Sequence, residues 1–200
     1  MVLFTDISAR CQALRQDMTL EKIYSLTVEN PERVAAHWLE GDQERSATFG
    51  DYDRLTKNYA AYLREALGEG NKGRFVAIQV DTCKEWFSMF WAVLQAGYNP
   101  VLFNAALSDE MTVHMLWEAG ACGVIFRGKR RLPEQYIQVD ADAMFKAPDV
   151  SGFTPDWGGK VALCTSGSTA TSRIFVYDEV AVCEQVLNSD LLNKANPRIV

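Results

Sequence analysis

Between Phe75 and Phe126 the chain alternates short apolar runs with helical patterns, and no other feature constrains its fold as tightly. Phe75-Val76-Ala77-Ile78-Gln79-Val80 is a run of strand type. Thr82-Cys83-Lys84-Glu85 fits a capping box and announces a helix over Lys84–Ala96, which Gly97 stops. Val101-Leu102-Phe103 reads as the next strand, Ser108 as the cap of a helix carrying Met111, Met115 and Leu116, and Gly123-Val124-Ile125-Phe126 as a third strand after Gly120. Strand, helix, strand, helix, strand with short connections requires crossovers and therefore parallel pairing. The expected class is α/β, a mostly parallel, Rossmann-like sheet flanked by helices. The helix over Lys84–Ala96 is apolar nearly all round, so it should be packed on more than one side. Asp81-Thr82-Cys83, the turn after the first strand, is not glycine-rich, so the dinucleotide fingerprint is missing.

The flanking segments fit around this unit. Residues from about Ile7 to Asn30 have helical spacing, with Thr19 as a cap for a second segment, and Asn30-Pro31 breaks the pattern. Val34–Leu39 and Ser46–Phe49 enclose a polar loop and read as an N-terminal β-hairpin. Gly50–Leu67 is a helix with Tyr52, Leu55, Tyr59, Tyr62 and Leu63 on its core face and Asp51 and Asp53 in its first turn, where the dipole favours them. Downstream, Tyr136–Val139, Val161–Cys164 and Ile174–Tyr177 read as strands and Asp178–Leu192 as a helix; Pro197–Val200 reads as the entry to another strand.

Composition sets the limits. The hydrophobic fraction is 48%, the charged fraction 23% and the net charge −6, as in an ordinary globular protein and without support for nucleic-acid binding. The basic cluster Lys129-Arg130-Arg131 is read as a solvated turn, and Asp140 and Asp142 as solvated loop carboxylates. His37 and His114, the two histidines, suggest structural imidazoles and no metal pair. Five cysteines, widely spaced and without a C-x-x-C pair, together with no signal-like N-terminus and no apolar run long enough to span a bilayer, imply a reducing, cytoplasmic setting with no membrane span. Cys122 and Cys164 sit in apolar runs, as buried thiols do. No catalytic triad and no metal-ligand spacing appears.

One stretch points to chemistry. Between the strands at Val161–Cys164 and Ile174–Tyr177 lie Thr165-Ser166-Gly167-Ser168-Thr169-Ala170-Thr171-Ser172, followed by Arg173. Small hydroxyl residues and glycine give many backbone and side-chain donors with little bulk, and a cation closes the segment; a polyphosphate needs these features. The Walker spacing is absent. Alone, such a segment is more often a solvated turn. Its pattern, however, resembles T-S-G-[ST]-T-G-x-P-K, the phosphate-loop motif of the AMP-forming adenylating enzymes, the superfamily of acyl-CoA synthetases, non-ribosomal peptide synthetase adenylation domains and luciferases. Thr48-Phe49-Gly50-Asp51-Tyr52 resembles the family's T-Y-x-E-L, Gly73-Arg74-Phe75-Val76-Ala77-Ile78 its G-D-R-V-A-I, and Glu85-Trp86 with Ala96-Gly97-Tyr98-Asn99-Pro100 its E-W helix and A-G-x-x-x-P turn. The likeness runs from about Glu32 to Val186.

The resemblance implies a partial adenylation-domain fold, with residues 1–200 as the N-terminal portion of an AMP-binding domain. The rest of that domain and the C-terminal domain would lie outside the chain. It implies an ATP-dependent acid–thiol ligase that converts a carboxylate and ATP to acyl-AMP and pyrophosphate, then transfers the acyl group to a thiol such as CoA or carrier-protein pantetheine. Thr165, Ser166, Gly167, Ser168, Thr169 and Arg173 are the implied nucleotide-binding residues, with ATP and Mg2+ as the parent's ligands. No catalytic or metal-ligating residue is assigned, and the chain alone is expected to bind no nucleotide stably and to be inactive. Ala170, Ser172 and Arg173 stand where the family has Gly, Pro and Lys. These departures leave open an alternative, a non-catalytic relative used as a binding or interaction module. Open sheet edges are expected to promote self-association.

Overall fold

The computed structural model describes residues 18–164 and 173–195. Within them the N-terminal helical pattern forms α1, Leu20–Thr27, whose start is fixed by the Thr19 hydroxyl accepting from the Lys22 amide. β1 (Val34–Glu40) and β2 (Gln43–Thr48) make the expected antiparallel hairpin. His37 lies on it, exposed, with Nδ1 3.3 Å from Glu44. α2 (Phe49–Leu67) opens with a reciprocal cap: the Asp51 amide donates to Thr48 Oγ1 at 3.1 Å and the Thr48 amide to the Asp51 carboxylate at 2.9 Å. Asp51 thus serves as a bonded cap as well as a dipole partner.

The capping box expected at Thr82–Glu85 does not form. α3 runs Trp86–Gln95, and its N-cap Glu85 has φ −81° and ψ −8° and makes no side-chain cap. With the helix starting at Trp86, Thr82 lies outside it and cannot act as its N-cap. α3 is nevertheless buried on several sides, from Ser88 through Gln95 except for Phe90, as its all-round apolarity predicts.

The remaining strands are β3 (Phe75–Gln79), β4 (Asn99–Leu102), β5 (Ala121–Phe126), β6 (Ile137–Asp140), β7 (Lys160–Cys164) and β8 (Ile174–Asp178), with α4 (Asp109–Ala119), α5 (Ala141–Met144) and α6 (Glu179–Ala195) between or after them. They form a six-stranded sheet in the order β6-β5-β3-β4-β7-β8, parallel throughout except for β8. Alternation along β3 separates two cores. Val76 and Ile78 pack with α2 and α3 on one face, while Ala77 packs with Met115 and Leu116 of α4 on the other. Leu20, Tyr24, Trp91 and Leu94 form a smaller cluster that seats α1 on α3.

Loop carboxylates read as solvated have partners. Asp140 caps α5 by accepting from the Asp142 amide at 2.9 Å, and Asp142 lies 3.1 Å from Arg127 Nε. α4 begins at Ser108, which accepts from the Met111 amide, and ends at Gly120 in the left-handed region, φ 61°.

Candidate functional site

β7 runs parallel to β4, with Ala162 opposite Val101 and Leu163 opposite Leu102, so the chain leaves β7 at the carboxyl end of the sheet. Open α/β sheets bind ligands outside that end. The chain returns as β8, antiparallel to β7, and the Cys164–Ile174 pair closes the base of the connection. Thr165, Ser166, Gly167, Ser168 and Thr169, with Ala170, Thr171 and Ser172, lie outside the described residues. Arg173 is described and exposed, one position before β8.

Both anchors of the connection rest on the α4-side core: Cys164 and Ile174 pack against the cluster that holds Phe103 and, at its margin, Leu107. The segment from Phe103 to Ser108, which follows β4, therefore shares its packing with the base of the candidate loop. That segment is fixed by polar contacts. Arg130 donates through Nη1 to the Leu107 carbonyl at 2.8 Å and to the Asp109 carboxylate at 3.1 Å, and through Nη2 to the Ala105 carbonyl at 3.1 Å. Gln79, buried at the end of β3, donates to the Leu107 carbonyl at 3.2 Å and accepts from the Thr112 hydroxyl at 3.1 Å. The Arg131 amide completes the set by donating to Asp109 at 3.0 Å. These donors, the Arg131 amide first and the Arg130 guanidinium next, hold the Asp109 carboxyl below the usual range.

The basic cluster is thus not a solvated turn at Arg130, whose side chain is only 20% exposed. A planar fork with several donors satisfies two carbonyls and a carboxylate at once, which an isolated charge in a turn would not do. Sequence reading passed over this brace. One signal was available: Gln79 is the polar residue of an otherwise apolar strand, and a buried amide needs partners.

Cys164 is half-buried and Cys122 fully so. Burial, with the Glu118 charge second, pushes the Cys164 thiol up to about 11, so at neutral pH it is a protonated packing group beside the candidate loop and a poor nucleophile. Among the described residues no three His, Cys, Asp or Glu gather to hold a metal ion. No helix among the described residues is long and apolar enough to cross a membrane.

Solved structures share this architecture. The N-terminal subdomain of NpsA from Klebsiella oxytoca is 22% identical, with a TM-score of 0.66 over 80% of this chain and 42% of that one. The same subdomain in complex with anthranilyl-AMSN is also 22% identical, with a TM-score of 0.64 over 80% and 41%. The nonribosomal peptide synthetase FmoA3 is 19% identical, with a TM-score of 0.67 over 84% of this chain and 18% of that one. These likenesses are of fold, and the chain spans less than half the length of the chains it matches. No curated protein matches the sequence. The family described as AMP-binding enzyme matches residues 27–173, most of the chain, from the end of α1 to the cation after the Ser/Thr/Gly-rich connection. On that match and the sheet that carries it, the chain belongs to the AMP-binding enzyme family.

Proposed function

We propose that residues 1–200 are the N-terminal portion of the AMP-binding (adenylation) domain of a longer ATP-dependent acid–thiol ligase. In the longer protein a carboxylate oxygen attacks the α-phosphorus of ATP, the bond to pyrophosphate breaks, and acyl-AMP forms. A thiol, of CoA or of carrier-protein pantetheine, then takes the acyl group and AMP leaves. The observation that carries this reading is the placement of the Ser/Thr/Gly-rich connection: it leaves β7 at the carboxyl end of a parallel sheet, in a chain of the AMP-binding family. The NpsA subdomain, similar in fold, has been solved with anthranilyl-AMSN, which supports an acyl-adenylate as the kind of molecule handled.

In this proposal Thr165, Ser166, Ser168 and Thr169 donate to the β- and γ-phosphates, Gly167 gives the backbone room to approach, and Arg173 supplies the cation. Fixed donors of this kind stabilise charge that accumulates on the departing pyrophosphate. Magnesium would arrive with the nucleotide, and the protein is assigned to the cytoplasm. Alone, the chain supplies a phosphate grip without the rest of the machinery, binds no nucleotide stably and is inactive. Carboxylate-dependent ATP–pyrophosphate exchange tests both parts. None is expected from the chain by itself, and in the longer protein Arg173→Ala should weaken ATP use more than it changes acid preference. Exchange by the isolated chain, or an unchanged ATP dependence, would refute the respective half.

Ala170, Ser172 and Arg173 support a second reading, a non-catalytic relative acting as a binding or interaction module. A longer protein that binds ATP yet gives no exchange with any carboxylate would favour it. We also propose self-association of the chain, as a dimer. β8 is one of the two edge strands of the sheet, and Phe175, Val176 and Tyr177 on it are exposed. Light scattering should show a mass that rises with concentration, and a strict monomer would contradict this.

A further inference from the structure

On the α2–α3 side of the sheet, a half-open cavity of about 240 Å³ lies between the β1–β2 hairpin, α2 and the entry to α3. Its walls are aromatic: Trp38, Tyr52, Tyr59 and Phe145, with Tyr59 and Phe145 in tilted contact at 5.6 Å between ring centroids. Two charges enter it, Lys84 and Glu85. The Glu85 side chain is only 16% exposed, and its ion pair with Lys84 Nζ is long, 4.0 Å. Lys84 leans instead over the ring of Trp38, with Nζ 5.2 Å from the centroid. Burial, and after it the Glu85 charge, keeps the Tyr52 and Tyr59 phenols above their usual range, so the carboxylate bears on the aromatic walls.

Aromatic faces are negative at their centres, and beside a shielded carboxylate they select a weakly hydrated cation. The chain's own Lys84 already takes one ring face in this way, as an internal stand-in for such a ligand. We propose that this cavity is a binding site for a small organic ammonium, held by the face of Trp38 and by the carboxylate of Glu85 against the buried edges of Tyr52 and Tyr59, with Lys84 as the group it displaces. Glu85, at the N-cap of α3, offsets the positive end of that helix, which would otherwise disfavour a cation. The site is independent of the adenylation reading, since it uses neither the candidate loop nor the α4-side core.

Titrating the 200-residue chain with choline or tetramethylammonium, followed by the indole N–H resonance of Trp38 (assigned with Trp38→Phe), tests it. Saturable binding is expected. Glu85→Gln, which keeps size and shape, should weaken it about fivefold or more, and Trp38→Ala by a similar factor. Lys84→Ala should tighten it about threefold, because the internal competitor is gone. This last sign is the discriminating one, since a merely folded-state role for Lys84 would not improve binding. A response linear to about 50 mM, equal binding in Glu85→Gln, weaker binding in Lys84→Ala, or preference for benzoate over the ammonium would each overturn the proposal.

Discussion

Gly158 is the point where a single added carbon should unsettle the strand that carries the candidate loop. The segment before β7 crosses the turn between α3 and β4, where the Gly158 amide donates to the Leu94 carbonyl at 2.8 Å. Two residues on, the Lys160 amide donates to Asn99 Oδ1 at 2.9 Å, and Asn99 itself donates to the Gly73 carbonyl at 2.6 Å. A Cβ at Gly158 would overlap the carbonyl oxygen of Tyr98 and lie 2.8 Å from its carbon and 3.1 Å from Asn99 Oδ1. Those neighbours are backbone and a side chain held at both ends, so the segment must move away and strain both amide bonds. Overpacking costs about 1–3 kcal/mol and each of the two weakened hydrogen bonds about 1 kcal/mol, so Gly158→Ala should destabilise the chain by about 3–5 kcal/mol. For a protein of this size that lowers Tm by roughly 10 °C. Gly159 is the internal control: a Cβ there meets nothing within 4 Å, and Gly159→Ala should be neutral or slightly stabilising. Urea and thermal unfolding of the two variants side by side is the assay. A difference below about 1 kcal/mol would refute the claim that close backbone approach fixes this crossing.

Two further outcomes follow from the polar contacts. Arg130→Ala should cost about 2–3 kcal/mol and raise hydrogen exchange in residues 104–109, because two carbonyls and a carboxylate lose a donor; a change under about 0.5 kcal/mol with unaltered exchange would refute the brace. Asp51, Asp109, Asp149 and Asp156 all have carboxyls held below the usual range: Asp51 first by the Thr48 amide, Asp109 by the Arg131 amide, Asp149 by Asn58 and Asp156 by Lys72. Their folded pKa lies below the unfolded one, so their stabilisation is complete above about pH 4 and is lost as pH falls through the folded values. Urea midpoints should therefore drop on acidification below about pH 4, less steeply in Asp149→Asn, and parallel curves for that variant and the parent would contradict the assignment.

Helix caps at Thr19, Ser108 and Gly120 and the strands from β3 to β7 were legible because each rests on local rules, namely an extended cap residue, a left-handed terminator and apolar runs of strand length. Pro100 shows where such rules stop. The sequence begins this strand at Val101, yet β4 starts at Asn99 and includes the proline. Proline is tolerated because pairing with β7 begins only at Val101, so position 100 has a strand on one side alone. Glu85 shows the converse, since a sequence that fits a capping box makes none when the helix starts downstream of it. At the candidate site the loop residues were legible as a donor-rich motif, while the Arg130 and Gln79 brace was not. Its partners are main-chain carbonyls, and carbonyls carry no sequence signature.

The sequence by itself determined the alternation of strand and helix, the two-sided burial of α3 and the chemical character of the stretch from Thr165 to Arg173. Residue types, spacing and caps act over a few positions and need no knowledge of the rest of the chain. Tertiary structure alone decided the strand order, the antiparallel return of β8, the apolar cluster that the β4–α4 segment shares with Cys164 and Ile174, and the aromatic cavity beside α2 and α3. Each of these joins residues far apart in the chain, and which of them meet is set by the packing of helices on the two faces of the sheet.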